Sequence, residues 1–374
     1  MYPHSEPGFP SRYRLHVRRG GGRPPFLQPV IPKTGCAREM EEIIERFFLN
    51  AMAPEAHARI DTLAKLAGDV STREYFRVTS GSSSFVICRD PALKGASLEF
   101  YPYYIVYNLF RRHRIPLPEA RSFDSANGLI LLDDAGDIML EETVPLSAAD
   151  ITRVRYEKLI DIMVRIQSIP DDGSIPFSLS FDTEKLMFEF NFFIEHALLG
   201  LFGASLSPAV RGELEHVFLT VSTLLQRPEN FVLNHRDFHC RNVMVKGDEL
   251  FIIDFQDARL GLPHYDLVSL LRDSYIGLDE EMFQHLRDLY YHSARDAGIH
   301  SMGRDEFQHY FDLSAFQRNV KALGTFGYQF TRLGRDTYLR YVRRTLEYLP
   351  GYALHNETVR RAAEIILDLA GDAS

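Results

Sequence analysis

The sequence predicts an α+β fold of two lobes, a small β-rich N-terminal lobe and a larger helical lobe, with a cleft between them. Three observations predict it. Short apolar runs separated by turn residues lie between residues 63 and 88, as in a meander of β-hairpins. After about residue 145, apolar residues recur at helical spacing. A non-helical segment, residues 231–258, interrupts these helices, and a cleft between lobes is a usual ligand site.

The individual elements follow from the same patterns. The N-terminal lobe is predicted to contain a short amphipathic helix at residues 41–50, strands at 63–66, 75–78 and 85–88, a helix at 98–112 and a buried strand at 128–133. The helical lobe is predicted to contain helices at 151–166, 187–201, 207–226 and 279–298, with Asp279 as the N-cap of the last. A linker near residues 133–145 joins the lobes. The predicted regions are therefore an arm at 1–40, an N-terminal lobe at 41–140 and a C-terminal lobe at 141–374.

Composition narrows the class of protein. The 374 residues include 42 Lys and Arg against 51 Asp and Glu, a net charge of -9, which argues against bulk binding to nucleic acid or anionic membranes. No apolar run approaches the roughly 18–20 residues of a membrane helix. The three cysteines, Cys36, Cys88 and Cys240, show no CxxC spacing and predict neither a disulfide framework nor a zinc site. We therefore expect a cytoplasmic protein, and no protein partner is evident.

The first 40 residues differ from the rest of the chain. They carry seven Arg and Lys against two Glu, together with a Gly-Gly-Gly run and a Pro-Pro pair. This composition favours a basic, flexible arm. A solvated extension and a functional basic arm both remain open.

The non-helical segment holds the residue types that carry chemistry. Two apolar runs, residues 243–245 and 250–253, flank a turn and predict a β-hairpin. Asp237 and Asn242 precede the first run, and Asp254 follows the second. Because a hairpin brings the outer ends of its strands together, we expect these three side chains to converge on one small volume.

These residue types suit phosphoryl transfer. A carboxylate orients and deprotonates the acceptor hydroxyl, while carboxylate and amide oxygens hold Mg²⁺ on the triphosphate. In protein kinases the catalytic Asp and a metal-binding Asn have a five-residue spacing, and an Asp-Phe pair follows downstream. Asp237 and Asn242 show that spacing, and Asp254 with Phe255 follows after the hairpin. The combination is more specific than an isolated Asp or Asn, which is normally a turn residue.

Several longer motifs extend this pattern. They are HRDFHCRNVMV at 235–245, IDFQDA at 253–258, YDLVSLLRDSY at 265–275, AGDVSTREYFRV at 67–78, LLDDAGD at 131–137 and FQRNVKALG at 316–324. With them the chain resembles the aminoglycoside phosphotransferase and choline kinase-like superfamily, which shares the protein kinase fold. It is most similar to the bacterial kinases that phosphorylate N-acetylmuramate and N-acetylglucosamine at the anomeric hydroxyl during cell-wall recycling. The resemblance covers roughly residues 60–350.

The resemblance implies an ATP- and Mg²⁺-dependent kinase whose ligands are a small sugar and ATP. Asp237 would be the catalytic base, and Asn242 and Asp254 would hold Mg²⁺. The further implied roles are phosphate contacts for Gly68, Asp69, Ser71 and Thr72, the adenine hinge for Leu132 and Asp133, and support of the catalytic loop for His235 and Asp266. Taken alone, the loop at 68–72 contains one glycine and reads as a hairpin turn.

The chain departs from protein kinases on the third strand, which carries no Lys to pair with a helix Glu. Cys88 or Arg89 occupies that position, and the similar sugar kinases also tend to lack the Lys. Arg89 either neutralises phosphate together with Glu99 or forms an ordinary exposed ion pair. How the α- and β-phosphates are neutralised is therefore open.

Three more residues have two interpretations each. Arg241 either contacts the γ-phosphate or steadies the loop. Asp257 either binds a sugar hydroxyl or amide or caps the following segment. Arg318 either binds the lactyl carboxylate of muramic acid or pairs with a nearby acidic residue. His239 and Cys240 are predicted to be structural, because a Cys-His nucleophile pair needs a base that a third group orients.

Two other functions are compatible with the sequence. The same fold accepts an aminoglycoside or a choline-like amine if the acceptor pocket is acidic, and the helical lobe contains acidic residues that suit one. The missing Lys also allows a nucleotide-binding pseudokinase. The presence of Asp237, Asn242 and Asp254 argues against it, because a non-catalytic protein has no chemical need of all three.

Overall fold

The computed structural model describes residues 34–53, 59–66 and 72–371. The strands are β1 (Thr62–Lys65), β2 (Glu74–Ser80), β3 (Ser83–Arg89), β4 (Ala120–Asp124), β5 (Leu129–Asp133), β6 (Ile138–Met139), β7 (Val232–Asn234), β8 (Val243–Lys246), β9 (Glu249–Ile252) and β10 (Arg259–Gly261). The helices are α1 (Thr34–Ala51), α2 (Pro102–Arg112), α3 (Leu140–Thr143), α4 (Ala149–Gln167), α5 (Ile175–Ser178), α6 (Thr183–Phe193), α7 (Pro208–Leu224), α8 (His264–Leu271), α9 (Glu280–Asp296), α10 (Arg304–Thr331), α11 (Val342–His355) and α12 (Glu357–Gly371). A π-helical turn, Ile194–Leu201, follows α6 directly.

An antiparallel sheet forms the N-terminal part, with strands in the order β1-β2-β3-β5-β4. Side chains alternate between the faces of a strand, so Phe76 and Val78 of β2 lie on the same face. That face packs against α1, and its core also contains Ile44, Phe47, Phe48, Met52, Phe85, Ile87, Leu129 and Leu131. Helix α1 begins at Thr34, earlier than the predicted start at residue 41. The predicted arm before Thr34 lies outside the described residues.

Two local differences from the prediction have sequence reasons. Strand β4 reads ARSFD, which lacks an apolar run, and a bulge between Ala120 and Ser122 shifts its register against β5. The predicted helix at 98–112 is divided into a 3₁₀ turn, Leu98–Phe100, and helix α2. Pro102 begins α2, because its fixed φ and missing N–H suit the first helical turn.

The predicted hairpin in the non-helical segment is present. Strands β8 and β9 pair antiparallel, and β6 adds to them as a third strand. Strands β7 and β10 form a separate antiparallel pair. The N-cap of α9 is Asp279, as predicted, and its side chain accepts a hydrogen bond from the N–H of Met282 at 2.8 Å.

The chain divides into two compact units. Of the described residues, those within Gln28–Phe181 and Arg227–Phe307 form the first unit. Those within Asp182–Gln226 and Gln308–Ser374 form the second, which is helical. In this second unit a Cβ at Gly324 would lie 2.8 Å from the Cα of Phe193, so glycine allows α10 to pack closely against α6. The lobe boundaries drawn from the sequence stay a prediction.

The mixture of elements agrees with the predicted fold class, because the N-terminal part is rich in sheet and the C-terminal part is helical. None of the helices among residues 34–53 and 72–371 is long and apolar enough to cross a membrane.

Candidate active site

The β8–β9 hairpin brings the two predicted metal ligands to the same end. Val243 pairs with Ile252 in the strand register, and the N–H of Ile253 donates to the carbonyl of Asn242 at 3.0 Å. Asn242 and Asp254 therefore lie at adjacent strand ends, on either side of this backbone hydrogen bond.

Asp237 is joined to the same end by a tight loop. The Nδ2 of Asn242 donates to the carbonyl of Asp237 at 2.9 Å, and the N–H of His239 donates to the same carbonyl at 3.0 Å. The first bond orients the Asn242 amide, whose Oδ1 is the atom able to bind a cation. The carboxylate of Asp237 is 27% exposed and lies 3.9 Å from the Nε of Arg236, so solvent and ligands reach it.

A buried carboxylate holds the start of this loop. Asp266 is fully buried in α8. It accepts hydrogen bonds from the N–H of His235 at 2.6 Å and from the N–H of Arg236 at 3.0 Å. Arg236 has a left-handed backbone, with φ 86°, which is uncommon for residues other than glycine. The two hydrogen bonds stabilise that conformation immediately before Asp237.

His235 lies in the loop before Asp237, and its buried ring contacts the residue before Asp254. Its ring is fully buried, and its Nε2 lies 3.0 Å from the carbonyl of Ile253, the residue before Asp254. Burial lowers the pKa of His235 although Asp254 and Asp237 act to raise it, so the ring is neutral at physiological pH. A neutral, enclosed imidazole suits the supporting role implied by the resemblance, which stays a prediction.

Asp254 combines exposure with an unusual backbone. Its φ is 64°, in the left-handed region. Residues other than glycine that adopt this conformation are often found at functional sites. Its side chain is 49% exposed, and its Oδ1 accepts a hydrogen bond from the Nε2 of Gln256 at 2.9 Å. Asp254 therefore presents its carboxylate outward from the end of the hairpin.

This donor set fits Mg²⁺. That ion binds through one or two carboxylates and substrate phosphates and keeps several waters, and one carboxylate with one amide oxygen matches the requirement. Within residues 34–53, 59–66 and 72–371, no three His, Cys, Asp or Glu side chains group as a metal cluster. The arrangement is thus an open pair of oxygen ligands that a bound phosphate would complete.

The predicted nucleotide residues are only partly described. Gly68, Asp69 and Ser71 lie outside the described residues, whereas Thr72 precedes β2. Leu132 is buried in β5. Asp133 ends that strand, and its carboxylate pairs with the guanidinium of Arg121. The hinge assignment of Leu132 and Asp133 stays a prediction.

Asp134 lies in the LLDDAGD motif, but its organising role is one that the sequence did not reveal. Its carboxylate accepts hydrogen bonds from the Oγ of Ser84 at 2.6 Å and from the guanidinium of Arg77, with the Nε of Arg77 at 2.8 Å. Its carbonyl accepts from the Nζ of Lys246 in β8 at 2.8 Å. Burial acts to raise the pKa of Asp134, but these hydrogen bonds outweigh it and the net pKa is lowered. These contacts connect the turn after β5 to the five-stranded sheet and to the β6–β8–β9 sheet.

Arg73 is the second residue that sequence reasoning missed. Its Nη1 donates to the Oε1 of Gln256 at 3.0 Å and lies 3.8 Å from the Oδ1 of Asp254. The only sequence signal is its position, directly after the predicted phosphate loop and before β2. A cation directly before the first residue of β2 therefore approaches the predicted metal ligand.

The two arginines that were predicted near phosphate have acidic partners. Arg89 pairs with Glu74 across β2 and β3, and Glu74 rather than Glu99 is the partner that the structure shows. Arg241 lies 3.2 Å from Glu141 and over the ring of Tyr275. The structure thus shows which side chains surround Arg89 and Arg241. The phosphate roles of the two arginines stay predictions.

The predicted substrate residues lie in different units. Asp257 is in the first unit, is half exposed, and its Oδ2 lies 2.8 Å from the Nη1 of Arg236. Arg318 is half-buried on α10 in the second unit. Their sugar contacts stay predictions.

Cys240 has the environment of a structural residue. Burial raises its pKa well above the ordinary value, and the nearby Asp273 adds to the effect. The N–H of Cys240 donates to Asp273 Oδ2 at 3.0 Å. A thiol with a raised pKa is a poor nucleophile, which supports the structural interpretation.

Solved structures with known chemistry share this fold. The choline kinase LicA from Streptococcus pneumoniae matches with a TM-score of 0.55 and 13% identity, over 84% of this chain and 100% of that one. The aminoglycoside phosphotransferase APH(2'')-Ib, solved with ADP bound, matches with a TM-score of 0.53 and 16% identity, over 88% of this chain and 98% of that one. The fold is therefore the one shared by these choline kinase and aminoglycoside phosphotransferase structures, as predicted.

Comparison of sequences, unlike that of folds, identifies the family of the chain. The chain belongs to the phosphotransferase enzyme family (APH), whose model matches residues 62–299. A protein of Neisseria meningitidis named N-acetylmuramate/N-acetylglucosamine kinase is 30% identical over 82% of this chain and 90% of its own length. A protein of the same name from Pseudomonas aeruginosa is 27% identical over 82% of this chain and 88% of its own length. The protein is thus a small-molecule kinase.

Proposed function

We propose that this protein transfers the γ-phosphoryl group of ATP to the anomeric hydroxyl of N-acetylmuramate or N-acetylglucosamine, in a Mg²⁺-dependent reaction that recycles cell-wall sugars. The observation that carries the proposal is the grouping of Asp237, Asn242 and Asp254 at one end of the β8–β9 hairpin. The names of relatives that match over 82% of the chain support the choice of sugars.

Each side chain has a defined role in the proposed reaction. The carboxylate of Asp237 orients the acceptor hydroxyl and accepts its proton. The sugar oxygen bonds to the γ-phosphorus as the bond from that phosphorus to the bridging oxygen breaks, and ADP leaves. Mg²⁺ held by Asn242 and Asp254 would neutralise charge on the phosphate oxygens. Asp266 and His235 keep Asp237 in place relative to those ligands.

The remaining predicted residues complete the proposal around this centre. Thr72 would contribute to the phosphate loop, and Leu132 and Asp133 would border the adenine. ATP as the phosphoryl donor agrees with a cytoplasmic location, and that location is part of the proposal.

A panel of acceptors tests the proposed function. The purified protein is incubated with ATP, Mg²⁺ and one of N-acetylmuramate, N-acetylglucosamine, an aminoglycoside or choline, and ADP release is followed by a coupled assay. We expect turnover with at least one of the two amino sugars, and no turnover when EDTA removes Mg²⁺. Turnover only with the aminoglycoside or with choline would contradict the assignment of the acceptor.

Two matched substitutions test the role of the hairpin end. Asp237→Asn removes the base and is expected to lower kcat by about 10²–10⁴-fold. Asp248→Asn changes an exposed Asp in the turn between β8 and β9, at the opposite end of the same hairpin, and is expected to keep wild-type turnover. Equal activity of both variants would mean that Asp237 is not the base.

A further inference from the structure

Strand β3 offers no lysine, the cation by which protein kinases link the N-terminal sheet to the nucleotide phosphates. The side chain of Arg89 is occupied by Glu74 on the neighbouring strand. Cys88 is buried, and a thiol carries no positive charge in either protonation state. The two candidates from the sequence therefore do not supply a cation that reaches the hairpin end.

Arg73 makes that connection by a different route. Its side chain is only 13% exposed, and its guanidinium lies over the ring of Tyr103 at 5.6 Å. One end of the guanidinium contacts Gln256 and approaches Asp254, as described above. Gln256 itself donates to Asp254, so Arg73, Gln256 and Asp254 form a closed triangle of polar contacts.

The other end of the guanidinium is held by a buried carboxylate. The Nε of Arg73 lies 2.7 Å from the Oδ2 of Asp90, which is 3% exposed. Asp90 also accepts hydrogen bonds from the Oη of Tyr101 at 2.6 Å and from the N–H of Ala92 at 2.8 Å. Because the guanidinium is planar and one of its nitrogens is paired with Asp90, the orientation of its other N–H groups is also fixed.

This arrangement differs from a pair that only supports the fold. A buried Arg needs one carboxylate to compensate its charge, and Asp90 meets that need. The approach to a second, half-exposed carboxylate at 3.8 Å adds little to stability, because exposed charges are well screened. It does place a cation beside the carboxylate predicted to bind Mg²⁺.

We propose that Arg73 is the positioning residue that replaces the N-terminal-lobe lysine, and that it acts by holding Asp254, with Gln256, in the orientation that binds the magnesium–nucleotide complex. This inference rests on the proposed function only through nucleotide binding, because it makes no assumption about the sugar. Arg73 then couples the sheet, through Asp90, to the end of the catalytic hairpin.

Calorimetric titration of ADP with and without Mg²⁺ tests the proposal without requiring turnover. The measured quantity is the magnesium ratio, defined as the dissociation constant of ADP without Mg²⁺ divided by that with Mg²⁺. Arg73→Lys keeps the charge but loses the rigid fork, and we expect it to reduce the ratio by roughly tenfold, the value of one charge-assisted hydrogen bond. Asp254→Asn should bring the ratio close to one.

A double variant shows whether Arg73 acts through Asp254. If it does, Arg73→Lys in the Asp254→Asn background causes no further change in the ratio. Gln256→Ala, at a partly exposed position, removes the bridging amide and should reduce the ratio by a smaller factor. It keeps the proposal testable if Arg73→Lys does not fold.

The matched control is Arg287→Lys on α9. Arg287 also contacts a glutamine, Gln284, lies 3.9 Å from an aspartate, Asp288, and is placed over an aromatic ring, Phe283, at 5.5 Å. We expect it to keep the wild-type ratio. A wild-type ratio in both Arg73→Lys and Gln256→Ala, or independent effects in the double variant, would overturn the inference while leaving the sugar kinase intact. Absence of any nucleotide binding by the wild-type protein would overturn both proposals.

Discussion

The carboxylate of Asp266 gives the sharpest single-residue prediction. It is fully buried and accepts two backbone hydrogen bonds, from His235 and Arg236, directly before the proposed base. Asp266→Asn keeps the shape but replaces one acceptor oxygen by an NH₂ group, which faces an N–H donor. Loss of one charge-assisted hydrogen bond costs about 1.5–3 kcal/mol. We expect the same energy to be lost from the formed loop, a factor of roughly 10–100 in the equilibrium constant between the formed and the displaced loop.

Steady-state kinetics together with urea unfolding measure this effect. We expect kcat to fall by roughly 10–100-fold while KM for ATP changes little, because the loop that carries Asp237 is displaced and the nucleotide contacts are not. The matched control is Asp312→Asn. Asp312 is also a buried aspartate, and it accepts a hydrogen bond from Gln308 at 2.9 Å within α10. Its substitution should lower the free energy of unfolding and leave kcat near wild type.

Equal effects of the two substitutions on kcat would contradict a positioning role for Asp266. Wild-type kcat in Asp266→Asn, with a clear loss of stability, would show that the backbone bonds to His235 and Arg236 serve only the fold. An equal fall of kcat in Asp312→Asn would show that activity follows global stability rather than the geometry of the loop.

Three further predictions concern packing, pH and the cysteine beside the loop. In a urea titration, Gly327→Ala should lower the free energy of unfolding by about 1–3 kcal/mol, because the added Cβ would overlap the backbone carbonyl of His196. The control is Gly351→Ala in α11, where the added Cβ meets open space. This control should be neutral or stabilising in the same titration. Burial holds the pKa of His264 at about 3, so the unfolded state, with an ordinary pKa near 6.5, binds more protons between these values. Stability should therefore fall as the pH is lowered from about 6.5 toward 3, by up to about 1.4 kcal/mol per pH unit, and a wild-type acid slope in His264→Gln would contradict this. Cys240→Ala should keep most of the wild-type kcat, and a loss comparable to that of Asp237→Asn would restore a chemical role for the thiol.

The sequence was informative where the chemistry depends on local spacing. Asp237 and Asn242 lie in one short loop, and Asp254 follows across a tight hairpin, so pattern alone placed them together. The meander of β2 and β3 and the N-cap at Asp279 were also predicted, because turn residues and capping side chains act over a few residues.

The sequence was uninformative where long-range contacts decide the outcome. Arg73 and Gln256 are 183 positions apart, and no local pattern indicates that they meet. The partner of Arg89 was left open for the same reason, since the register of β2 and β3 rather than the following helix places Glu74 beside it. Strand β4 was missed because its pairing with β5, rather than its own polar sequence, makes it a strand.

The position of the transferred phosphate tests the proposed anomeric phosphorylation directly. Wild-type protein and Asp237→Asn are each incubated with ATP, Mg²⁺ and N-acetylmuramate or N-acetylglucosamine, and the products are examined by phosphorus NMR. We predict a sugar phosphate whose phosphorus couples to the anomeric proton, formed by the wild-type protein and strongly reduced in Asp237→Asn. A phosphate on any other hydroxyl, or the same anomeric product at the wild-type rate from Asp237→Asn, would contradict it.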